Sequence, residues 1–512
     1  MKRRLFGLLG AAALVLSASA TAQKPPAVPL VDPATVAATL SSLDVQRLLS
    51  DAAYAAEALK SLEAIDADQL PREAAVGLDN LRTFALYTAG RSDEASRYAA
   101  DLRRTRPAYP PGHTSGFIVE LEQGHAPAAL AVLEAGAVHL VGADRADFAD
   151  SLSTDAVFAL SRHFHAEDDE PSAGRLADAL SGLKWTGEGS PNVVDNFRIV
   201  AIKHRLAAGD TAGARSLADQ IDTPDATLDL VTLRKFDTLL APDVNRAQRV
   251  ASAIELENAR TGRDLQASPS DWIKLLHRIH HLRSSGRADE AVGVALPAVS
   301  DMAAIEGAGE DAFWVVNEAA YALIAAGRGD EAIKLIDRLL ALGIDKHSDL
   351  INMAINKGAM LLTLERRAEA LAHSSALLAK QPGPASPYGE MFMSSSGACA
   401  AWELGRKDEA AKLRERLLAR PDVNEAATLL VHLCTDDMEG AERFLVARLR
   451  SDEPDAALTW LQDYQVQDEP SERTRRLAAR FSELARRPAV REAATRVGHI
   501  LTLPLSRSFW GL

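Results

Sequence analysis

Apolar residues along this chain recur with the spacing of one helical face. After Ala332 they fall at Leu335, Ile336, Leu339 and Leu340, and the preceding segment brings Ala319, Ala320 and Leu323 to meet them. This is the 3.6-residue period of an amphipathic helix, not the alternation of a strand. A short polar break, Gly327-Arg328-Gly329-Asp330-Glu331, parts the two stripes, so the predicted unit is a helix, a tight turn and a helix. Nearly the same text recurs as Gly90-Arg91-Ser92-Asp93-Glu94-Ala95, Gly286-Arg287-Ala288-Asp289-Glu290-Ala291 and Gly405-Arg406-Lys407-Asp408-Glu409-Ala410. Looser copies are Gly124 with Ala129 and Gly209 with Ala214. Glycine ends one helix in a left-handed cap, the acidic pair opens the next at the positive end of its dipole, and alanine lets the helices approach.

The repeat alanines measure the period: 34 residues separate Ala95 from Ala129, 41 separate Ala291 from Ala332, 38 separate Ala332 from Ala370, and 40 separate Ala370 from Ala410. Degenerate copies fit the wide gaps, turning near Glu170-Pro171 and near Asp243, and a further copy turns at Asp437-Met438-Glu439 before Ala441. These glycine, acid and alanine positions resemble the tetratricopeptide repeat, with a unit of about 40 residues where 34 is usual. The resemblance implies an all-α fold, an α-α superhelix or solenoid of stacked hairpins, with about ten hairpins and no sheet. Clearer repeats occupy 261–450, partly degenerate ones 36–260, and 451–512 reads as capping helices and a tail. Pro107 to Gly116 and Thr261 to Asp271 read as loops between helices.

The first 22 residues carry a charged start at Lys2, Arg3 and Arg4, an apolar stretch from Leu5 to Leu16, and a small-residue cleavage site at Ala20-Thr21-Ala22. They read as a signal peptide for the general export route, favoured over the twin-arginine one, with the mature chain periplasmic or secreted. Pro25, Pro26, Pro29 and Pro33 make 23–35 a proline-rich tether. No later run is apolar over the roughly 18 residues that a spanning helix needs, so no membrane insertion is expected. Net charge is −14 and becomes −17 once the three cations of the leader are removed. That charge repels phosphate backbones, so no nucleic acid partner is expected. Cys399 and Cys434 are the two cysteines. They sit near equivalent places in adjacent repeats, and an oxidising compartment permits a bridge. A stagger of about four residues, roughly 6 Å, opposes one, and both outcomes stay open.

Catalytic patterns are thin. Ser181 and Lys184 have serine-lysine spacing without companion motifs, and read as a helix end. His277 and His281 would share a helical face, but Arg278 and Arg283 beside them repel a cation. His163 and His165 stand near Glu167, Asp168, Asp169 and Glu170, an acid run that reads as a solvated turn. No phosphate loop, dinucleotide signature or other cofactor motif is present.

What remains is a surface. The resemblance implies that one face of each first helix lines a concave groove. Carried onto this chain it selects Trp314, Asn317, Tyr321 and Ile324; Ile273, Leu276, His280 and Arg283; Asn352, Ile355, Ala359 and Leu362; Phe392, Ser395, Cys399 and Trp402; and, near the start, Gly77, Asn80, Phe84 and Tyr87. Aromatic and amide groups together suit an extended peptide, while the same rings would serve equally to fill space between hairpins. The expectation is a non-enzymatic exported scaffold that binds a protein or peptide. A component or assembly factor of an envelope, secretion or polysaccharide-export machine, and a serine-lysine or metal-dependent hydrolase, are the alternatives. Oligomeric state is left open.

Overall fold

The computed structural model describes Val36, Leu40 and residues 42–380, 385–466 and 471–506. The expected signal peptide and proline-rich tether lie outside these residues. The chain divides into two compact units, one ending at Ile221 and the other beginning at Asp222.

Unit 1 holds α1 (Val45–Leu48), α2 (Ala52–Glu63), α3 (Arg72–Thr88), α4 (Ser92–Thr105), α5 (Pro110–Glu122), α6 (Ala126–His139), α7 (Gly142–Asp150), α8 (Thr154–Ala166), α9 (Glu170–Leu183), α10 (Pro191–Ala207) and α11 (Thr211–Ala218). Helices α3 and α4, α5 and α6, α8 and α9, and α10 and α11 pack as hairpins. Unit 2 begins with α12 (Pro224–Thr232), α13 (Arg246–Ala267), α14 (Trp272–Ser284), α15 (Ala288–Ala298), α16 (Met302–Ala308), α17 (Glu310–Ala325) and α18 (Gly329–Leu340). It continues with α19 (Leu350–Thr363), α20 (Arg367–Leu378), α21 (Pro387–Glu403), α22 (Lys407–Leu418), α23 (Glu425–Cys434) and α24 (Met438–Leu449). Its C-terminal segment adds α25 (Asp455–Trp460), β1 (Asp463–Val466), α26 (Glu472–Arg486), α27 (Pro488–Val497) and β2 (Thr502–Ser506). In unit 2 the hairpins are α14–α15, α17–α18, α19–α20, α21–α22 and α23–α24.

The turns form as their residues dictate. Gly90, Gly124, Gly209, Gly286, Gly327 and Gly405 all have φ between 75° and 80°, the left-handed region in which a Cβ is penalised. Repeat alanines 95, 129, 214, 291, 332, 370, 410 and 441 are buried, where a larger side chain would hold the helices apart. Stacking then joins the apolar stripes. In unit 2 one cluster runs through Ile279, Phe313, Ile336, Met360, Cys399 and Val431, residues of five successive hairpins.

Three expectations are corrected. Residues 110–116 are helical, because Pro110 and Pro111 occupy a first turn, where proline's missing N–H costs nothing. Helix α13 extends to Ala267, through most of the segment read as a loop. A small sheet also exists: β1 and β2 pair in parallel, with Tyr464, Leu503 and Leu505 buried. The C-terminal segment does more than cap the last hairpin, since it returns to the start of unit 2. His499 donates its N–H to the Thr232 carbonyl at 2.8 Å, Arg234 Nε donates to the Thr495 carbonyl at 2.7 Å, and Lys235 pairs with Asp455 at 3.1 Å. Along the way α26 crosses the ends of the last first-helices. Arg473 reaches Glu403 at 2.8 Å with both side chains nearly buried, Arg367 holds the other Glu403 oxygen at 2.8 Å, and Arg480 pairs with Asp436.

Candidate functional site

The faces selected from the sequence do lie on adjacent first helices of unit 2, and most of their positions pack. Asn317, Ile324, Ile355, Leu362, Ser395 and Arg283 are buried between neighbours. Asn317 Oδ1 accepts from Asn356 Nδ2 at 3.0 Å, and Ser395 donates to the Ala427 carbonyl at 3.2 Å, so these polar groups are spent joining one hairpin to the next. In unit 1, Phe84 is a core residue at 3% exposure, and Tyr87 is half-buried with its phenol pushed up by burial and by Glu122.

The selected position nearest the N-terminal end of each first helix of unit 2 keeps exposed surface. Ile273 is 41% exposed, Asn352 is exposed, and Trp314 and Phe392 are half-buried. Trp314 Nε1 faces Glu310 Oε1 at 3.5 Å, and Phe392 packs edge-to-face with exposed Tyr388, ring centroids 5.3 Å apart. Tyr388 was not among the residues selected. It sits one turn before Phe392, in the first turn of α21, and that spacing was the available signal. Trp402, at the other end of α21, is half-buried: Lys407 Nζ lies 3.0 Å from the ring centroid and its indole N–H donates to Asp436 at 3.3 Å.

Beside this row runs a charged seam. Arg283 Nε donates to Glu318 at 3.0 Å, His280 Nδ1 stands 3.5 Å from the same oxygen, and the Arg283 guanidinium lies 5.5 Å from the Tyr321 ring centroid. Burial alone would raise the Glu318 carboxyl, but Arg283 and His280 more than offset it and hold it at about 2. Burial, then Glu318, pushes the half-buried Tyr321 phenol up to about 12. On α12, Asp225 has a buried Oδ1 without a hydrogen bond, and burial raises its carboxyl to about 6 against the opposing pull of His280. His281 is 4% exposed, and burial, reinforced by Arg278, His280 and Arg287, lowers it to about 4. A buried neutral imidazole facing arginines is a poor partner for His277 in holding a cation. Among the described residues no group of three potential ligands is placed to hold a metal.

The remaining candidates are placed as follows. Ser181 donates to the Ala177 carbonyl at 2.9 Å inside α9, while Lys184 closes that helix in the left-handed conformation. His165 lies 3.9 Å from Glu170, and Asp169 caps α9 by accepting from the Ser172 N–H. Cys399 and Cys434 are bonded, S–S 2.04 Å with α-carbons 5.5 Å apart. Among the described residues no single helix is long and apolar enough to cross a membrane.

No family model and no curated protein matches the sequence. Solved structures similar to the chain include the human IFIT1 dimer with PPP-AAAA, at 13% identity over 88% of this chain and 96% of that one, TM-score 0.28. The human IFIT1 dimer with m7Gppp-AAAA matches at 13% identity over 88% and 100%, TM-score 0.27. Likeness at that level carries no argument about this chain's ligand. Those structures do hold PPP-AAAA and m7Gppp-AAAA, however, and the exclusion of nucleic acid drawn above from net charge is withdrawn. Net charge averages over a whole surface and does not describe any one patch of it.

Proposed function

We propose that the chain is an exported, non-enzymatic repeat scaffold of tetratricopeptide type that holds an extended segment of a protein partner along the open ends of the first helices of unit 2. The observation that carries this is the contrast within one helical face. Of the residues selected on successive first helices, Asn317, Ile324, Ile355, Leu362, Ser395 and Cys399 are consumed by packing, while Ile273, Trp314, Asn352 and Phe392 keep exposed surface at equivalent places. Half-exposed rings offer contact area at low entropic cost, and an exposed amide can both donate to and accept from a peptide backbone. The Cys399–Cys434 bridge supports export, since such bonds persist in oxidising compartments. Spending the Ser181 hydroxyl on its own helix favours a scaffold over a serine hydrolase.

Site-specific photocrosslinking in the producing cell tests the reading. A crosslinker at Ile273 or Asn352 should capture a discrete protein partner, and one at exposed Lys334, on the second helix of a hairpin, should not. Equal capture from all three positions, or none, would overturn it.

A further inference from the structure

Where the C-terminal segment returns to the start of unit 2 it forms one side of an open cavity of about 590 Å³. Arg234, Arg246, Arg486, Arg491 and His499 line it, with one acid, Asp463. Elsewhere in unit 2 most arginines hold a carboxylate, as Arg260 holds Asp222 at 2.7 Å and Arg487 holds Glu442 at 2.7 Å. Within the cavity Arg246 follows that pattern, pairing with Asp237 at 2.9 Å, and His499 stands 3.0 Å from the same oxygen. Arg486 and Arg491 do not: among the described residues neither forms an ion pair or a side-chain hydrogen bond. Arg234 commits only Nε, to the Thr495 carbonyl at 2.7 Å. Asp463 already accepts from Thr502 Oγ1 at 3.1 Å. Among the described residues the cavity thus gathers more positive than negative charge, in a chain whose net charge is −14.

We propose that this cavity binds a small phosphorylated anion, independently of the partner strip described above. The guanidiniums of Arg234, Arg486 and Arg491 come from three different elements: the segment after α12, the last residue of α26 and the first turn of α27. Planar forks converging from separate walls match a tetrahedral phosphoryl group, which presents several charged oxygens in different directions, better than a single flat carboxylate. The volume exceeds that of one phosphate, and Leu461, Phe481 and Ile500 add apolar wall, so the phosphoryl group is carried on a larger body.

Titration calorimetry of the full chain with inorganic pyrophosphate, at low salt, tests the proposal. Saturable binding is expected, weakened at least about tenfold in R486Q and in R491Q, because each removes a charge-assisted fork. R443Q, altering an exposed arginine of α24, should bind as wild type does. Citrate, a tricarboxylate, should bind more weakly than pyrophosphate. Arg486 and Arg491 are both exposed, so the variants should melt with wild type. If a glutamine variant melts lower, the lysine variant at that position, which keeps the charge, should recover part of the affinity. Absence of pyrophosphate binding, unchanged affinity in R486Q and R491Q, no recovery with lysine, or citrate binding as tightly would overturn it.

Discussion

Asp225 illustrates what only three-dimensional context decides. In the sequence it is one acid among 71 acidic residues; in the fold its Oδ1 is buried on α12, which packs against α13. Its carboxyl is raised to about 6 by burial, with His280 opposing, and the acids Asp222 and Glu257 lie close by. A raised folded value means that folding favours the protonated form. That contribution is fully present below the unfolded value near 4 and is lost as pH rises through about 6. At neutral pH the ionised carboxylate therefore weakens the fold. Asp225→Asn should melt above wild type at pH 8, by an amount on the order of 2 kcal/mol, and the gain should vanish by about pH 4. Thermal melts across that range check it, and a less stable variant at pH 8 would contradict the burial argument. His281 acts in the opposite sense: its lowered value gives stability above the unfolded value near 6.5, lost as pH falls toward about 4. Residue-scale environment also separates Phe84 from Trp314. Both sit on the selected face of a first helix, yet α2 and α4 help bury one, while the other lies at an open helix end.

At the scale of elements the turn was the most legible feature, because its chemistry is local. Glycine at positive φ, the acidic first turn and the buried alanine all stand where the text placed them. The structure adds a role for the arginine between them. Arg91, Arg287, Arg328 and Arg366 each fork onto the glutamate three residues on, as in the 2.9 and 2.7 Å bonds from Arg91 to Glu94. Such exposed pairs are worth about 0.2–1 kcal/mol and fix the turn more than they stabilise it. Degenerate copies were harder to read because Asp168, Glu365 and Asp436 take the left-handed position without glycine. The same irregularity joins the cysteines. Helix α21 runs four residues past Cys399 to Glu403, whereas α23 ends at Cys434, so the two helix ends are offset by the stagger expected from sequence, and the α-carbons come within 5.5 Å. A bridge closing 35 residues restricts the unfolded chain by about 3 to 4 kcal/mol. The double variant C399S/C434S should show a loss of that order in denaturant midpoints under oxidising conditions and none once the wild type is reduced. Labelling of both thiols in unreduced, denatured wild type would contradict the bond.

Across the whole molecule, stacked all-α hairpins were legible because each hairpin repeats one pattern and must bury its face on the next. The return of the C-terminal segment was not. It depends on contacts such as His499 with Asp237, 262 residues apart, for which no periodicity exists. For the candidate site the repeat let one face of each first helix be listed, but how much of that face packing consumes depends on the neighbouring helices. The central claim is that the open ends of the first helices bind an extended partner, and the affinity of a display-selected peptide for W314A of the full chain tests it most directly. W314A should lose about 2 kcal/mol or more relative to wild type, with a smaller fall in melting temperature than F313A shows. Phe313, at 1% exposure, is a core ring whose truncation costs about 3 to 5 kcal/mol. Undiminished affinity in W314A, or a melting temperature as low as that of F313A, would make Trp314 a packing residue and contradict the claim.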